Sequence, residues 1–312
     1  MRVLWVSDFP PGLNSMGGFE ANMDLLGAYG TTRGHESTYI GPYGVEQGTF
    51  KDIVKAFDTV IFGNTFFFQE KHLEDMLGHK PHFNMERDFG FCISRHPECH
   101  PWQIGSEAPC GRCPLAEGMY KDPNAHLNIH IKIMNTSEGN FFCSPLQYNI
   151  FKKCLEEIYE PNYILPPMIQ VDQFYPIGTE RHGYLYVGKF SVRKGVMNAL
   201  KFAVTNPGDR VILAGFDKET FTFPQNCIAV GRVPNKSMNN LYNAVDAIII
   251  QPEIVESGPR TLIEACLAGC DYIANEKVGI LSLDWPFHDQ MQLRKKCREV
   301  PIQFWETIEK VI

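Results

Sequence analysis

No stretch of about 20 consecutive apolar residues occurs in this sequence, so no membrane-spanning helix is expected. The opening residues, MRVLWVSDFPPG, lack the long apolar region and small-residue cleavage site of a secretory signal. They read as a short buried strand, and a cytoplasmic location is the expectation. Positive charge is scarce: 29 Lys and Arg stand against 36 Asp and Glu, a net charge of −7. That excludes an overall basic footprint for nucleic acid. The one dense basic run, Arg294-Lys295-Lys296-Cys297-Arg298, reads as a solvated helix face rather than a phosphate track. There is no DxD pair placed for a catalytic metal, no solenoid-type repeat and no low-complexity tract. What is present is a globular composition, 44 % hydrophobic and 21 % charged, over 312 residues, enough for two domains.

Strand and helix patterns alternate along the chain. Arg2 to Ser7 is a β-rich run, followed by a loop with Gly17-Gly18 and a helical pattern through Phe19, Met23, Leu25, Leu26 and Ala28. This is the opening strand–loop–helix of a doubly wound fold, although its glycines do not form a GxGxxG. Further strands are expected at 37–40, 58–63, 81–85 and 163–167, with helices at 50–57, 71–77 and 146–159. Val171 to Pro176 is extended and Pro-bounded, which suits an interdomain linker. A second series follows, with strands at 184–187, 211–214, 228–230, 247–250 and 272–274. Helices are expected near 195–204, 236–245 and 261–268, and the amphipathic stretch 302–312 closes the chain. The spacing predicts two parallel α/β halves, residues 1–170 and 171–312, facing across a cleft, with the last helix packing back on the first.

The segment EIVESGPRTLIEACLAG, residues 253–269, follows the apolar run Ala247 to Ile250. A buried strand leading through a Ser257-Gly258-Pro259 turn into a helix is a standard anion site, because the first N–H groups of a helix lack intrahelical partners. Glu256 and Glu264 flank the turn, and carboxylates suit sugar hydroxyls. An ordinary strand–loop–helix unit with acidic residues fits the same pattern. Lys189 and Lys194 border a strand-to-helix loop, where ammonium groups would pair with a diphosphate or stand solvated.

The blocks YVGKFSVRKG, VILAG and VGRVPNKSMNNLYNAVDAIIIQPEIVESGPRTLIEACLAG together resemble the donor-binding half of a GT-B glycosyltransferase, most closely glycosyltransferase family four. VSDFPPG…MGGFEANMDLL, RGHES, CSPLQYNIFKK and ILPPMIQVDQFYP resemble that family's first domain. The resemblance implies a retaining enzyme that moves a sugar from a nucleotide-diphosphate sugar, a UDP-sugar heading the expected donors, with no catalytic metal. It implies that Glu256 contacts the donor sugar and Glu264 the ribose. Lys189 and Lys194 would hold the phosphates, and Gly17 and Gly18 would approach the donor. Arg232 and Val233 would line the base pocket, and the turn from Ser257 through Gly258, Pro259, Arg260, Thr261 and Leu262 would sit near the distal phosphate. Many relatives carry a His-Asp pair in the first domain; here Glu86-Arg87-Asp88 stands there, with Arg87 in place of the His, so that either the sugar contact is remade or Glu86, Arg87 or Asp88 serves the acceptor, a local Arg87-Asp88 salt bridge being the alternative.

Periodicity fails between about residues 87 and 122, a Cys-rich insertion holding Cys92, Cys99, Cys110 and Cys113. Four thiols closing in a C-x2-C suit tetrahedral structural zinc, with His96 and His100 beside them; free or disulfide-forming cysteines, or an iron–sulfur cluster, are the alternatives. The acceptor stays open: a glycan, a lipid-linked or small molecule, or a modified DNA base as in phage-type transfer. A non-catalytic nucleotide-sugar-binding or zinc-dependent interaction protein is the rival outside enzymes. The chain is expected to be a monomer or homodimer.

Overall fold

The computed structural model describes residues 1–9, 11, 18–43, 50–92, 122–155, 157–215 and 222–312. The chain forms two compact units, residues 1–168 with 300–312, and residues 169–299.

In the first unit six parallel strands run in the order β2-β1-β3-β4-β5-β6. They are β1 Arg2–Val6, β2 Glu36–Ile40, β3 Thr59–Phe62, β4 His82–Glu86, β5 Gly139–Phe142 and β6 Asn162–Ile164. Strands β1 and β3 to β5 are almost wholly buried, as a parallel sheet covered on both faces must be. One face carries Leu4, Val6, Val60 and Phe62 into a core with Phe50, Val54, Leu73, Met76, Ile129 and Ile133. Those partners come from α2 Phe50–Lys55, α3 Glu70–Met76 and α4 Pro123–Asn135. Alternation sends Trp5 and Phe141 to the other face, where both pack on Phe304 at ring-centroid separations of 5.7 and 5.2 Å.

Phe304 belongs to α9, Gln290–Val311, the last helix. It begins twelve residues before the expected 302–312 stretch and carries Pro301 inside. Beside Phe304, Trp305 is fully buried and donates its indole N–H to the Leu26 carbonyl at 2.9 Å. Leu26 lies in α1 Gly18–Thr32, where Gly30 lets the indole approach: a Cβ at residue 30 would overlap the Trp305 ring. Helix α5 is Pro145–Cys154, shorter than the expected 146–159, because Leu155 turns to extended backbone and buries its side chain.

The second unit holds five parallel strands in the order β11-β10-β7-β8-β9. They are β7 Tyr184–Val187, β8 Val211–Ala214, β9 Cys227–Gly231, β10 Ala247–Ile250 and β11 Asp271–Ala274. The helices are α6 Val196–Thr205, α7 Met238–Asn243 and α8 Arg260–Leu267. Val171 and Phe174 sit in this unit's core, and Arg294 donates to both their carbonyls at 2.7 Å, so the expected linker is built into the unit. The basic run is also engaged in part: Arg298 pairs with Asp172 at 2.8 Å and Lys296 with Glu299 at 3.3 Å.

Candidate functional site

The order of the second sheet decides where a ligand can sit. The chain leaves β7 toward β8 and β9 on one side, then returns to place β10 and β11 on the other. The strand order therefore reverses between β7 and β10, and in open parallel sheets ligands bind at the carboxyl ends of such a pair. The loops that leave those ends are 188–195 and 251–259, the two that carry Lys189, Lys194 and Glu256.

These loops are tied to each other. The N–H of Glu253 donates to the Arg193 carbonyl at 3.0 Å. Asn198, in the first turn of α6, donates to the Gln251 carbonyl and to Glu253 Oε1, both at 2.8 Å. Gly195 caps α6 in left-handed conformation, φ 83°, and a Cβ there would overlap the Gln251 carbonyl oxygen. Only glycine meets both demands. The Tyr186 hydroxyl, at the end of β7, donates to the Lys189 carbonyl at 3.1 Å. Burial, with the Glu256 carboxylate adding to it, raises the Tyr186 hydroxyl above its ordinary range, so it remains a donor.

Within this frame Lys194 Nζ forms an ion pair with Glu256 Oε2. Glu256 is held by its backbone: its N–H donates to the Lys277 carbonyl at 2.9 Å and its carbonyl accepts from Gly279 at 2.8 Å. Both side chains keep solvent access, 49 % for Lys194 and 27 % for Glu256. Lys189 is exposed on the same loop. Ser257 and Pro259 are buried, and Pro259 leads into α8, whose first residues are Arg260, Thr261 and Leu262. Gly258, Arg260 and Thr261 are half-buried. Arg232 is exposed and Val233 half-buried just past the end of β9.

Glu264 differs from Glu256 in being buried, at 5 % exposure. Its Oε2 accepts from the Tyr242 hydroxyl at 3.0 Å, and its Oε1 lies 3.4 Å from Arg260 Nη2. Burial raises its carboxyl above the usual range, while Arg260 and the Tyr242 hydrogen bond pull it back down. The arrangement offers a cation beside a helix N-terminus, suited to phosphate, flanked by two carboxylates in unlike surroundings.

The first-unit candidates are less converged. Gly18 starts α1 and is exposed, while Gly17 lies outside the described residues. Arg87 turns inward: its Nη1 donates to the Leu165 carbonyl at 2.8 Å and reaches Cys143 Sγ at 3.4 Å, and its Nη2 reaches Met85 Sδ at 3.3 Å. The Asp88 carbonyl accepts from Gln147 Nε2 at 2.6 Å. These bonds bind the ends of β4, β5 and β6 and give Arg87 a scaffolding set of partners. Cys92 is buried, and Cys99, Cys110 and Cys113 lie outside the described residues. Among the described residues no group of three or more His, Cys, Asp or Glu could hold a metal.

Several residues beside the sites carried no signal in the sequence. Tyr242 and Asn198 read as helix positions, with nothing to mark their bonds to Glu264 and to the Gln251 loop. At the end of β4 the acceptor candidate Glu86 is buried and accepts from Gly90 N at 3.3 Å; beside it His126 Nε2 lies 2.8 Å from the Gly90 carbonyl, and the His126 and His130 rings stand 4.5 Å apart. An i, i+4 histidine pair on a helix was the available cue, hidden because α4 itself was not delimited.

No family model and no curated protein sequence matches this chain. Solved structures do, at low identity. Sucrose-phosphate synthase from Thermosynechococcus elongatus is 14 % identical with a TM-score of 0.66, covering 99 % of this chain and 98 % of that one. The catalytic domain of starch synthase IV from Arabidopsis thaliana, bound to ADP and acarbose, is 11 % identical with a TM-score of 0.59, over 97 % and 92 %. HepE from Anabaena, in complex with UDP and glucose, is 12 % identical with a TM-score of 0.57, over 98 % and 91 %. Likeness at this level is likeness of fold, and with its two parallel sheets this chain has the GT-B fold of the glycosyltransferases, in keeping with the resemblance of its motifs to glycosyltransferase family four.

Proposed function

We propose that this protein is a retaining glycosyltransferase that moves a sugar from a nucleotide-diphosphate sugar to an acceptor hydroxyl. The observation that carries the reading is Lys194 paired with Glu256 at the strand-order reversal of the second sheet, with Glu264 behind them on α8. HepE in complex with UDP and glucose, and starch synthase IV bound to ADP, support the donor class by analogy.

In this reading the donor diphosphate replaces Glu256 as the partner of Lys194, since a diphosphate presents more negative charge than one carboxylate. Glu256, released, accepts from hydroxyls of the sugar. Lys189 and the free N–H groups opening α8 share the phosphates, and Glu264 takes the ribose hydroxyls. As the bond from the anomeric carbon to the diphosphate oxygen breaks, charge builds on the leaving group, where Lys194, Lys189 and the helix N-terminus stabilise it. The acceptor oxygen then bonds to the anomeric carbon on the face the diphosphate leaves, and its proton passes to the departing phosphate. The four cysteines from Cys92 to Cys113 are proposed to hold structural zinc on their spacing alone; zinc near one per chain by elemental analysis checks that.

The test is donor turnover followed by NMR. The native protein should release nucleoside diphosphate and give a product with the donor's anomeric configuration. Glu256→Ala should lose this activity with an unchanged circular dichroism spectrum. Donor binding without transfer or hydrolysis would sink the enzymatic reading, and an inverted product would sink retention.

A further inference from the structure

The second unit also contains a device that determines how Glu264 is presented; the inference rests on the donor reading above. A buried carboxylate needs hydrogen bonds to offset its lost hydration. Glu264 has one neighbour on each oxygen, the Tyr242 hydroxyl on Oε2 and the Arg260 guanidinium on Oε1. They approach from different elements, α7 and α8, so the carboxylate plane is fixed from two sides.

Tyr242 is itself held. It is fully buried, and its ring packs on Phe174 at 5.9 Å. Its helix is fastened on both sides of it: Asn239 Oδ1 accepts from Tyr175 N and Asn243 Oδ1 from Ile177 N, both at 3.0 Å. Arg181 adds a bond to Asn243 Oδ1 at 3.0 Å and another to the Tyr242 carbonyl at 2.8 Å. A tyrosine hydroxyl in a core needs only some acceptor; this one is aimed at one oxygen of one carboxylate.

An ionised carboxylate has about four acceptor positions. With the Tyr242 hydrogen bond on Oε2 and the Arg260 ion pair on Oε1, acceptor capacity remains on both oxygens, enough for two neighbouring hydroxyl donors. A 2′-deoxyribose would leave one oxygen of a buried carboxylate unanswered, and polar sites discriminate strongly against an analogue lacking the group they were built to bind.

We propose that Tyr242 is a positioning residue which, opposite Arg260, orients the Glu264 carboxylate as a paired acceptor and thereby makes this site prefer nucleotides with both ribose hydroxyls over their 2′-deoxy forms. Tyr242 touches no substrate; it acts through Glu264.

Calorimetric titration of the full chain with UDP, GDP and ADP, each beside its 2′-deoxy form, tests this. The native protein should bind its preferred ribonucleotide about tenfold or more tightly than the deoxy form. Tyr242→Phe keeps the ring; it should bring the two affinities within about threefold, mostly by weakening the ribonucleotide. Adding Tyr242→Phe to Glu264→Gln should cost little more than Glu264→Gln alone, because both remove one interaction. A merely structural tyrosine would lower the melting temperature and leave the ratio unchanged, which overturns the proposal, as would full additivity of the two changes. If Tyr242→Phe does not fold, Arg260→Gln should compress the same ratio, and an unchanged ratio overturns the proposal equally. Failure of all three ribonucleotides to bind removes this proposal; if TDP, itself a 2′-deoxy nucleotide, also fails to bind, the donor reading goes with it. Ribonucleotide binding with an undisturbed ratio removes only the proposal.

Discussion

Under the proposed function, Lys194 and Glu256 contribute more to chemistry than to stability. The pair is solvent-exposed on both sides, and such pairs are worth about 0–1 kcal/mol, so either partner can be removed without unfolding the protein. In the proposed reaction the same lysine, facing a departing diphosphate, is worth far more, since loss of one such electrostatic group lowers turnover by about 10² to 10³. Lys194→Met should therefore lower kcat for donor hydrolysis by about that factor while its melting temperature stays within a degree or two of the native protein. A kcat within threefold of native would remove Lys194 from the site. The charged residues at loop positions were legible only as candidates: an ordinary loop accommodates Glu256 and the two lysines equally well, and the family resemblance of the surrounding blocks is what singled them out. Tyr242 was illegible because its side chain is wholly in the core, where an aromatic needs no functional explanation.

At the scale of elements, the 188–195 and 251–259 loops depend on how α6 begins. Gly195 is left-handed and lies against the Gln251 carbonyl. A side chain there costs about 1–2 kcal/mol in conformation alone, and the overlap forces the 251–259 loop to move. Gly195→Ala should lower the melting temperature by several degrees and weaken donor binding together, as followed by thermal melts and calorimetry. Unaltered binding would mean that the two loops are not coupled.

The C-terminal turn of α9 is fastened in the first unit by Glu309, which accepts from Arg33 Nε at 2.8 Å and lies 2.7 Å from His35 Nε2. Hydrogen bonding to Arg33, with His35 adding to it, lowers the Glu309 carboxyl from its ordinary 4.5 to about 2. The sign follows from that depression. The contribution is complete above pH 4.5 and is lost as pH falls through about 2. Glu309→Gln should melt lower than the native protein at pH 6, and the gap should close between pH 4.5 and 2. A gap that persisted at pH 2 would contradict this account. The start of this helix was not legible, because Pro301 and the basic run interrupt the apolar spacing by which helices are read.

For the whole molecule, the alternation of strands and helices was enough to anticipate two parallel sheets, since short buried runs separated by helical stretches leave few other architectures. Strand order was not available from pattern alone, yet it is what places the 188–195 and 251–259 loops side by side. The cysteine stretch was legible only as spacing, and spacing does not say which thiols meet. The central claim is that the carboxyl ends of β7 and β10 hold a nucleotide-diphosphate sugar, and the most direct test is a thermal-shift titration with UDP-, GDP-, ADP- and TDP-sugars. A ligand specific for the folded state raises stability with the logarithm of its concentration over Kd, by about 2.7 kcal/mol at a hundredfold excess over Kd. One nucleotide series should raise the melting temperature of the native protein in this way, with the shift lost in Glu264→Gln and reduced in Lys194→Met. No shift from any of the four sugars, or a shift equally large in both variants, would contradict a donor site there.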